Sequence, residues 1–173
     1  MMYLKEKPWD VKKFYANPET TWEHLVAEIE KTAKKDGFQA AKPWLGVYGL
    51  SKVGLNLITI HQSKAYSRAW MGPGNPNIKV TSISPGFINT NMTDGFGSKL
   101  TPDHGTVSTI KCLFGDVVSG AFYGSDGRRS PLTITRDPGC KEYEGEDEST
   151  LEWATYNNRV FTSIQAEAEL TKK

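Results

Sequence analysis

The stretch Ile78-Lys79-Val80-Thr81-Ser82-Ile83-Ser84-Pro85-Gly86 decides the fold class of this 173-residue chain. Its β-branched residues predict a strand, and Pro85-Gly86 predicts a turn where the strand ends. The residues before it, from about 44 to 70, predict a long helix with apolar residues on most of its faces. A helix that precedes a strand in this way is typical of half of a βαβ unit, so the sequence predicts an α/β domain.

The other elements follow from periodicity and from turn residues. Thr21 can cap a helix that runs to Lys35, because apolar residues recur there every three or four positions. Thr101-Pro102-Asp103 predicts the start of a helix that ends near residue 113 or 114, and residues 120–123 predict a second strand. Residues 1–19 are expected to form an irregular arm with at most a short helix. Residues 20–140 form the main predicted domain, and residues 141–173 comprise an acidic, solvated run followed by a helix.

Composition excludes several classes of protein. The 21 basic and 20 acidic residues nearly cancel, so we expect neither a nucleic acid nor an anionic membrane as partner. No apolar stretch approaches the length of a membrane span or a signal peptide, which predicts a soluble cytoplasmic or organelle-matrix protein. Cys112 and Cys140 lie far apart and are expected to be free thiols. The three histidines lack the spacing of a metal site, so none is predicted.

The motif Tyr48-Gly49-Leu50-Ser51-Lys52 carries the chemistry of the long helix. Side chains four residues apart lie on the same helix face, so the Lys52 ammonium and the Tyr48 phenol are expected to be neighbours. A tyrosine is a poor acid–base catalyst at neutral pH unless a nearby positive charge favours its deprotonated form. The pair therefore predicts a proton donor, although a Tyr-x-x-x-Lys pair alone is also typical of an ordinary helix surface.

The helix with this motif and the later strand with Pro85-Gly86 together resemble the short-chain dehydrogenase/reductase family. Residues 22–35 resemble the helical insertion of its monomeric carbonyl reductases, and the likeness covers about residues 20–138. It implies an incomplete doubly wound, Rossmann-type fold. That fold would be the C-terminal half of the family domain, with the helical insertion, two parallel strands and flanking helices.

The resemblance also implies a role for each motif residue. Tyr48 would donate a proton to the carbonyl oxygen of a small aldehyde or ketone, and Lys52 would favour the phenolate and hold the nicotinamide ribose. Trp44 would lie near the substrate entrance. A Pro-Gly-x-x-x-Thr segment would line the nicotinamide end of NADP, where glycine permits close approach of the backbone. Its residues here are Pro85, Gly86, Ile88 and Thr90.

The chain departs from the family pattern in one important respect. The 173 residues contain no Gly-x-x-x-Gly-x-Gly turn, which in the family holds the pyrophosphate at a helix N-terminus. The catalytic serine and the helical asparagine of the family also lack counterparts. We therefore expect that the chain alone does not bind the cofactor, and that another polypeptide, or the rest of a longer reductase, completes the sheet and covers the central helix.

Three functions remain open on these grounds. The chain could be the catalytic half of a reductase that another polypeptide completes. It could instead be a non-catalytic, reductase-derived accessory subunit packed in a larger assembly, or an independent binding module with no reductase ancestry. The first two differ in whether replacing Tyr48 abolishes carbonyl reduction.

Overall fold

The structure is a computed structural model that describes residues 2–5, 7–36, 47–69, 78–98 and 100–150. It divides into two compact units. The first comprises residues 1–82 and 117–122, and the second comprises residues 83–116 and 123–173. The elements are α1 (Met2–Lys5), α2 (Trp9–Ala16), α3 (Trp22–Asp36), α4 (Val47–Ala69), β1 (Ser82–Ile83), α5 (Pro102–Gly105), α6 (Val107–Phe114), β2 (Phe122–Tyr123), β3 (Arg129–Ser130) and a 3-10 turn (Glu148–Thr150).

The core of the first unit forms where α1, α2 and α3 pack against α4. Leu50, Val53 and Leu57 of α4 are at most 3% exposed and share one cluster with Leu4 of α1 and Leu25 of α3. Burial of each such side chain contributes about 1.5–3 kcal/mol, so this face holds the unit together.

The N-terminal residues differ from the expected irregular arm. Residues 2–16 include two helices, and their side chains Tyr3, Leu4 and Tyr15 are buried in the core. The sequence led us to expect that another polypeptide, or the rest of a longer reductase, covers the central helix, but this face of α4 is covered by helices of the same chain. The sequence did not predict α1 and α2 because each is too short for its apolar residues to show a helical period. Packing against α4 stabilises both helices. The division at residues 19/20 and 140/141 stays a prediction.

The two longer predicted helices agree with the structure. The α3 helix begins one residue after Thr21, whose Oγ1 accepts a hydrogen bond from the His24 amide at 3.3 Å. Of the range predicted for α4, residues 44–46 and 70 lie outside the described residues. A Cβ added to Gly54 of α4 would lie 3.2 Å from Ile29 Cδ1 of α3, so glycine permits a close helix contact there.

The strands form one small mixed sheet in the order β1-β2-β3. The Ser82 amide donates to the Ala121 carbonyl, and the Ser84 amide donates to the Tyr123 carbonyl. The separation in sequence is the same in both pairs, which is the register of parallel strands. A hairpin closed by the Gly124 amide and the Arg128 carbonyl adds the antiparallel β3. The sequence predicted the two parallel strands but not the third.

The helix predicted after residue 101 is divided in two. Thr106 separates α5 from α6, and its hydroxyl donates to the Asp103 carbonyl at 2.7 Å. A side-chain bond of this kind competes with the regular helix ladder. The helix predicted after residue 150 lies outside the described residues.

Among the helices that the structure describes, none combines the length and apolar character needed to cross a bilayer.

Candidate functional site

Tyr48 and Lys52 are neighbours on the outer face of α4. The Lys52 Nζ lies 5.2 Å from the centroid of the Tyr48 ring, within the range of a cation–π contact. Tyr48 is 53% exposed, whereas Leu50 and Val53 on the other side of the helix are buried. Burial of the inner face therefore fixes the rotation of α4, and that rotation presents the pair to solvent.

Ser51 lies between these two residues but does not join them. Its hydroxyl donates to the Tyr48 carbonyl oxygen at 2.7 Å, within the same turn of helix. The hydroxyl proton is therefore committed to the backbone.

Gly86 of the second unit adopts a conformation that favours glycine. Its φ is 86°, and an added Cβ would lie 2.9 Å from both Leu100 Cδ1 and Ser125 Cβ. Any other residue there would be strained by its backbone and would clash with both side chains. The backbone conformation and the packing of this chain therefore account for the glycine at position 86. The neighbouring Pro85 is exposed.

Ile88 and Thr90 lie in the loop that follows this turn. Ile88 forms a parallel bridge with Leu100, and the adjacent Asn89 amide donates to the Leu100 carbonyl at 2.7 Å. Thr90 is exposed, and its amide donates to the Thr93 hydroxyl at 2.9 Å. The Thr90 hydroxyl lies 3.2 Å from the Thr93 hydroxyl, and as a hydroxyl it can both donate and accept a hydrogen bond.

The predicted site residues thus form two groups. Tyr48 and Lys52 belong to the first unit and contact each other, whereas Pro85, Gly86, Ile88 and Thr90 belong to one continuous segment of the second unit. Trp44, the predicted substrate contact, lies outside the described residues.

The acidic run at residues 142–148 is not the simply solvated segment that its sequence predicts. Glu148 accepts hydrogen bonds from the Leu132 amide at 2.9 Å and from the Thr133 amide at 2.7 Å. Glu142 accepts from the Arg129 amide at 2.9 Å. The carboxylates therefore secure the segment around β3, and nothing in the local sequence reveals those partners.

A buried ion pair joins Asp126 to Arg136 in the second unit. Burial pushes the pKa of the Asp126 carboxyl upward, but the hydrogen bond and charge of Arg136 and the Gly139 amide hold it below its usual value. Sequence reasoning did not identify this pair. The only signal for it was an Asp-Gly turn followed by an arginine in a segment rich in turns.

Other features offer little chemistry. A shallow hollow of about 470 Å³ lies along α2, between Asp10, Lys13 and Asn17. Within the described ranges, no three histidine, cysteine or acidic side chains are grouped as metal ligands. Cys112 and Cys140 are both free, as expected. His61 lies partly buried in α4, where its Nε2 has no hydrogen-bond partner.

No protein-family model matches this chain, and a search of curated proteins finds no significant match.

Proposed function

We propose that this chain carries the proton-donating pair and the nicotinamide-facing segment of an NADPH-dependent carbonyl reductase of the short-chain dehydrogenase/reductase type. Its fold would be the C-terminal half of a doubly wound, Rossmann-type domain. Another polypeptide, or another part of a longer reductase, would supply the pyrophosphate turn, because no Gly-x-x-x-Gly-x-Gly sequence occurs in these residues.

The observation that carries this proposal is the exposed Tyr48 phenol with the Lys52 ammonium over its ring. A proton donor must reach a substrate, so an exposed phenol suits the role better than a buried one. The Lys52 Nζ, 5.2 Å from the ring centroid, places a positive charge beside this phenol.

The chemistry assigned to the chain is a single proton transfer. When bound, reduced nicotinamide supplies a hydride to the carbonyl carbon of an aldehyde or ketone. The C=O π electrons then pass to the oxygen, and Tyr48 Oη donates its proton there to give the alcohol. Lys52 stabilises the resulting phenolate, and Thr90 offers its hydroxyl to the nicotinamide carboxamide.

Two measurements test the proposal. The full chain, tagged and isolated from its source cells with any bound polypeptide, is assayed for NADPH oxidation with an aromatic aldehyde. The Tyr48→Phe variant should lose about 100-fold or more in kcat, because it keeps the ring but removes the proton. Tyr66→Phe is the matched control, since Tyr66 is an exposed tyrosine of the same helix. Equal rates for the Tyr48→Phe variant and the wild type would refute the assigned role.

The second measurement uses the chain produced alone. NADPH fluorescence should not respond to it, because pyrophosphate binding is assigned elsewhere. Tight binding of NADPH by the isolated chain would contradict that assignment.

A specific surface favours the accessory-subunit alternative. Ile110, Leu113 and Phe114 of α6 are 53%, 69% and 83% exposed, respectively. Exposed apolar groups of this size on one short helix are typical of an interface. Under this alternative, Leu113→Glu should release the chain from its assembly, whereas Tyr48→Phe should change no activity of that assembly.

A further inference from the structure

The loop of residues 88–100 is closed at its base and tied at its centre. The Ile88–Leu100 bridge joins its ends, and the Asn89 amide donates to the Leu100 carbonyl. At the centre, the Thr93 amide donates to the Thr90 carbonyl at 2.9 Å, and the Phe96 amide donates to the Thr93 carbonyl at 3.1 Å. The backbone therefore turns twice around Thr93.

The Thr93 hydroxyl is the centre of a second set of contacts. It donates to the Ile88 carbonyl at 2.5 Å and accepts from the Thr90 amide at 2.9 Å. The hydroxyls of Thr90 and Ser98 each lie 3.2 Å away. A hydroxyl has one proton and two lone pairs, so only one of these two hydroxyls can donate to it once the Thr90 amide is bound.

The Ser98 hydroxyl has a second acceptor, the Thr93 carbonyl, at 3.4 Å. If Ser98 donates there, the remaining Thr93 lone pair accepts the Thr90 hydroxyl proton. The Thr90 oxygen then keeps both of its lone pairs for a ligand. In this arrangement the exposed Thr90 hydroxyl acts as an acceptor and suits a primary amide N–H donor.

We propose that Thr93 is a positioning residue for the nicotinamide-facing segment. Its hydroxyl fixes the Ile88 carbonyl and the Thr90 amide, and it orients the Thr90 hydroxyl to accept from the carboxamide N–H of nicotinamide. This inference rests on the proposed function, because it assigns the ligand of the same segment. Thr93 acts through Thr90 and touches no reacting atom.

The test uses the full chain labelled with ¹⁵N, with nicotinamide mononucleotide as the probe. This mononucleotide carries the carboxamide but does not need the pyrophosphate turn, so millimolar binding is sufficient. Two quantities are measured by NMR: the hydrogen-exchange rate of the Thr90 amide without ligand, and the ligand-dependent shifts of the amides of residues 86–90. Adenosine monophosphate, which lacks the carboxamide, serves as the control ligand.

Three variants distinguish the effect of the Thr93 hydroxyl from the effect of the shape of its side chain. Thr93→Val removes the hydroxyl and keeps the branching, so Thr90 exchange should accelerate and mononucleotide affinity should fall roughly fivefold or more. Thr93→Ser keeps the hydroxyl and should restore both. Thr101→Val removes a threonine hydroxyl just outside the loop, one that contacts His104 Nδ1, and should change neither.

The outcomes distinguish the two proposals. Unchanged Thr90 exchange, or wild-type mononucleotide affinity, in the Thr93→Val variant would overturn the positioning role alone. If the wild-type segment does not respond to the mononucleotide while Thr90 exchange remains slow, the nicotinamide site itself is refuted, and the role of Thr93 with it.

Discussion

Arg136 and Asp126 form an ion pair in which the arginine side chain is 1% exposed and the aspartate side chain 17%. Arg136 Nε also donates to Ser130 Oγ at 3.0 Å, and its Nη1 donates to the Cys140 carbonyl at 2.8 Å. The other oxygen of Asp126 accepts from the Gly139 amide at 2.9 Å. One buried charge thus links the turn before β3, β3 itself and the turn at residues 137–140.

Removal of the Asp126 carboxylate should destabilise the second unit strongly. Asp126→Ala leaves the Arg136 guanidinium buried without its counter-charge, which costs about 3–5 kcal/mol in comparable pairs. Glu30→Ala is the control, because Glu30 and Lys34 form an exposed pair that contributes less than about 1 kcal/mol. Urea denaturation measures the free energy of unfolding of each variant, and amide hydrogen exchange of residues 123–140 locates the loss of stability. An equal loss of stability in the two variants would contradict the prediction.

Glu148 should prove structural even though it belongs to an acidic run. Its carboxylate accepts from the amides of Leu132 and Thr133 and from the Thr133 hydroxyl, and Thr133 is 1% exposed. Glu148→Ala leaves these donors unpaired, at about 1–3 kcal/mol for each buried one. Glu144→Ala removes an exposed carboxylate of the same run and should change the free energy of unfolding by less than about 0.5 kcal/mol. Similar thermal midpoints for the two variants would show that Glu148 is simply solvated.

The elements that the sequence predicted are those determined by neighbouring residues. Thr21 caps α3 within one turn, and Tyr48 and Lys52 meet because they lie four residues apart on α4. Pro85-Gly86 ends the first strand segment for a local reason, the positive φ of glycine. These relationships need no information about distant parts of the chain.

The features that the sequence did not predict depend on distant partners. Tyr3 and Tyr15 become core residues only because α4 offers them an apolar face. The carboxylate of Glu148 binds amides about 15 residues earlier, and β3 exists through its pairing with β2. The role of Thr93 depends on a turn that brings its hydroxyl back to Ile88. Secondary-structure propensity and residue spacing do not predict such contacts between distant residues.

Gly86 and Gly95 should respond differently to the same substitution. Both have positive φ, 86° and 77°, so alanine at either position incurs a backbone cost of about 1–2 kcal/mol. At Gly86 the added Cβ would also lie 2.9 Å from Leu100 and Ser125, whereas at Gly95 nothing lies within 4 Å. Gly86→Ala should therefore destabilise the chain more than Gly95→Ala by roughly 1–3 kcal/mol. Equal free energies of unfolding for the two variants would contradict the packing around Gly86.

Alkaline pH should destabilise both units, through the buried Tyr15 in the first and the half-buried Tyr143 in the second. Burial raises the pKa of Tyr15 to about 12, and burial together with the charge of Glu148 raises the pKa of Tyr143 to about 12. The ordinary value is 10.0, so the folded chain holds these protons more tightly than the unfolded chain. Their contribution to stability is complete below pH 10 and is lost as the pH rises from about 10 to about 12.

Tyr15→Phe keeps the ring in the core but cannot ionise, so the free energy of unfolding should fall less steeply in this window than in the wild type. Tyr143→Phe provides the same comparison for the second unit, with urea midpoints measured at each pH. An alkaline decline in the Tyr15→Phe variant as steep as in the wild type would show that the Tyr15 proton is not retained by burial.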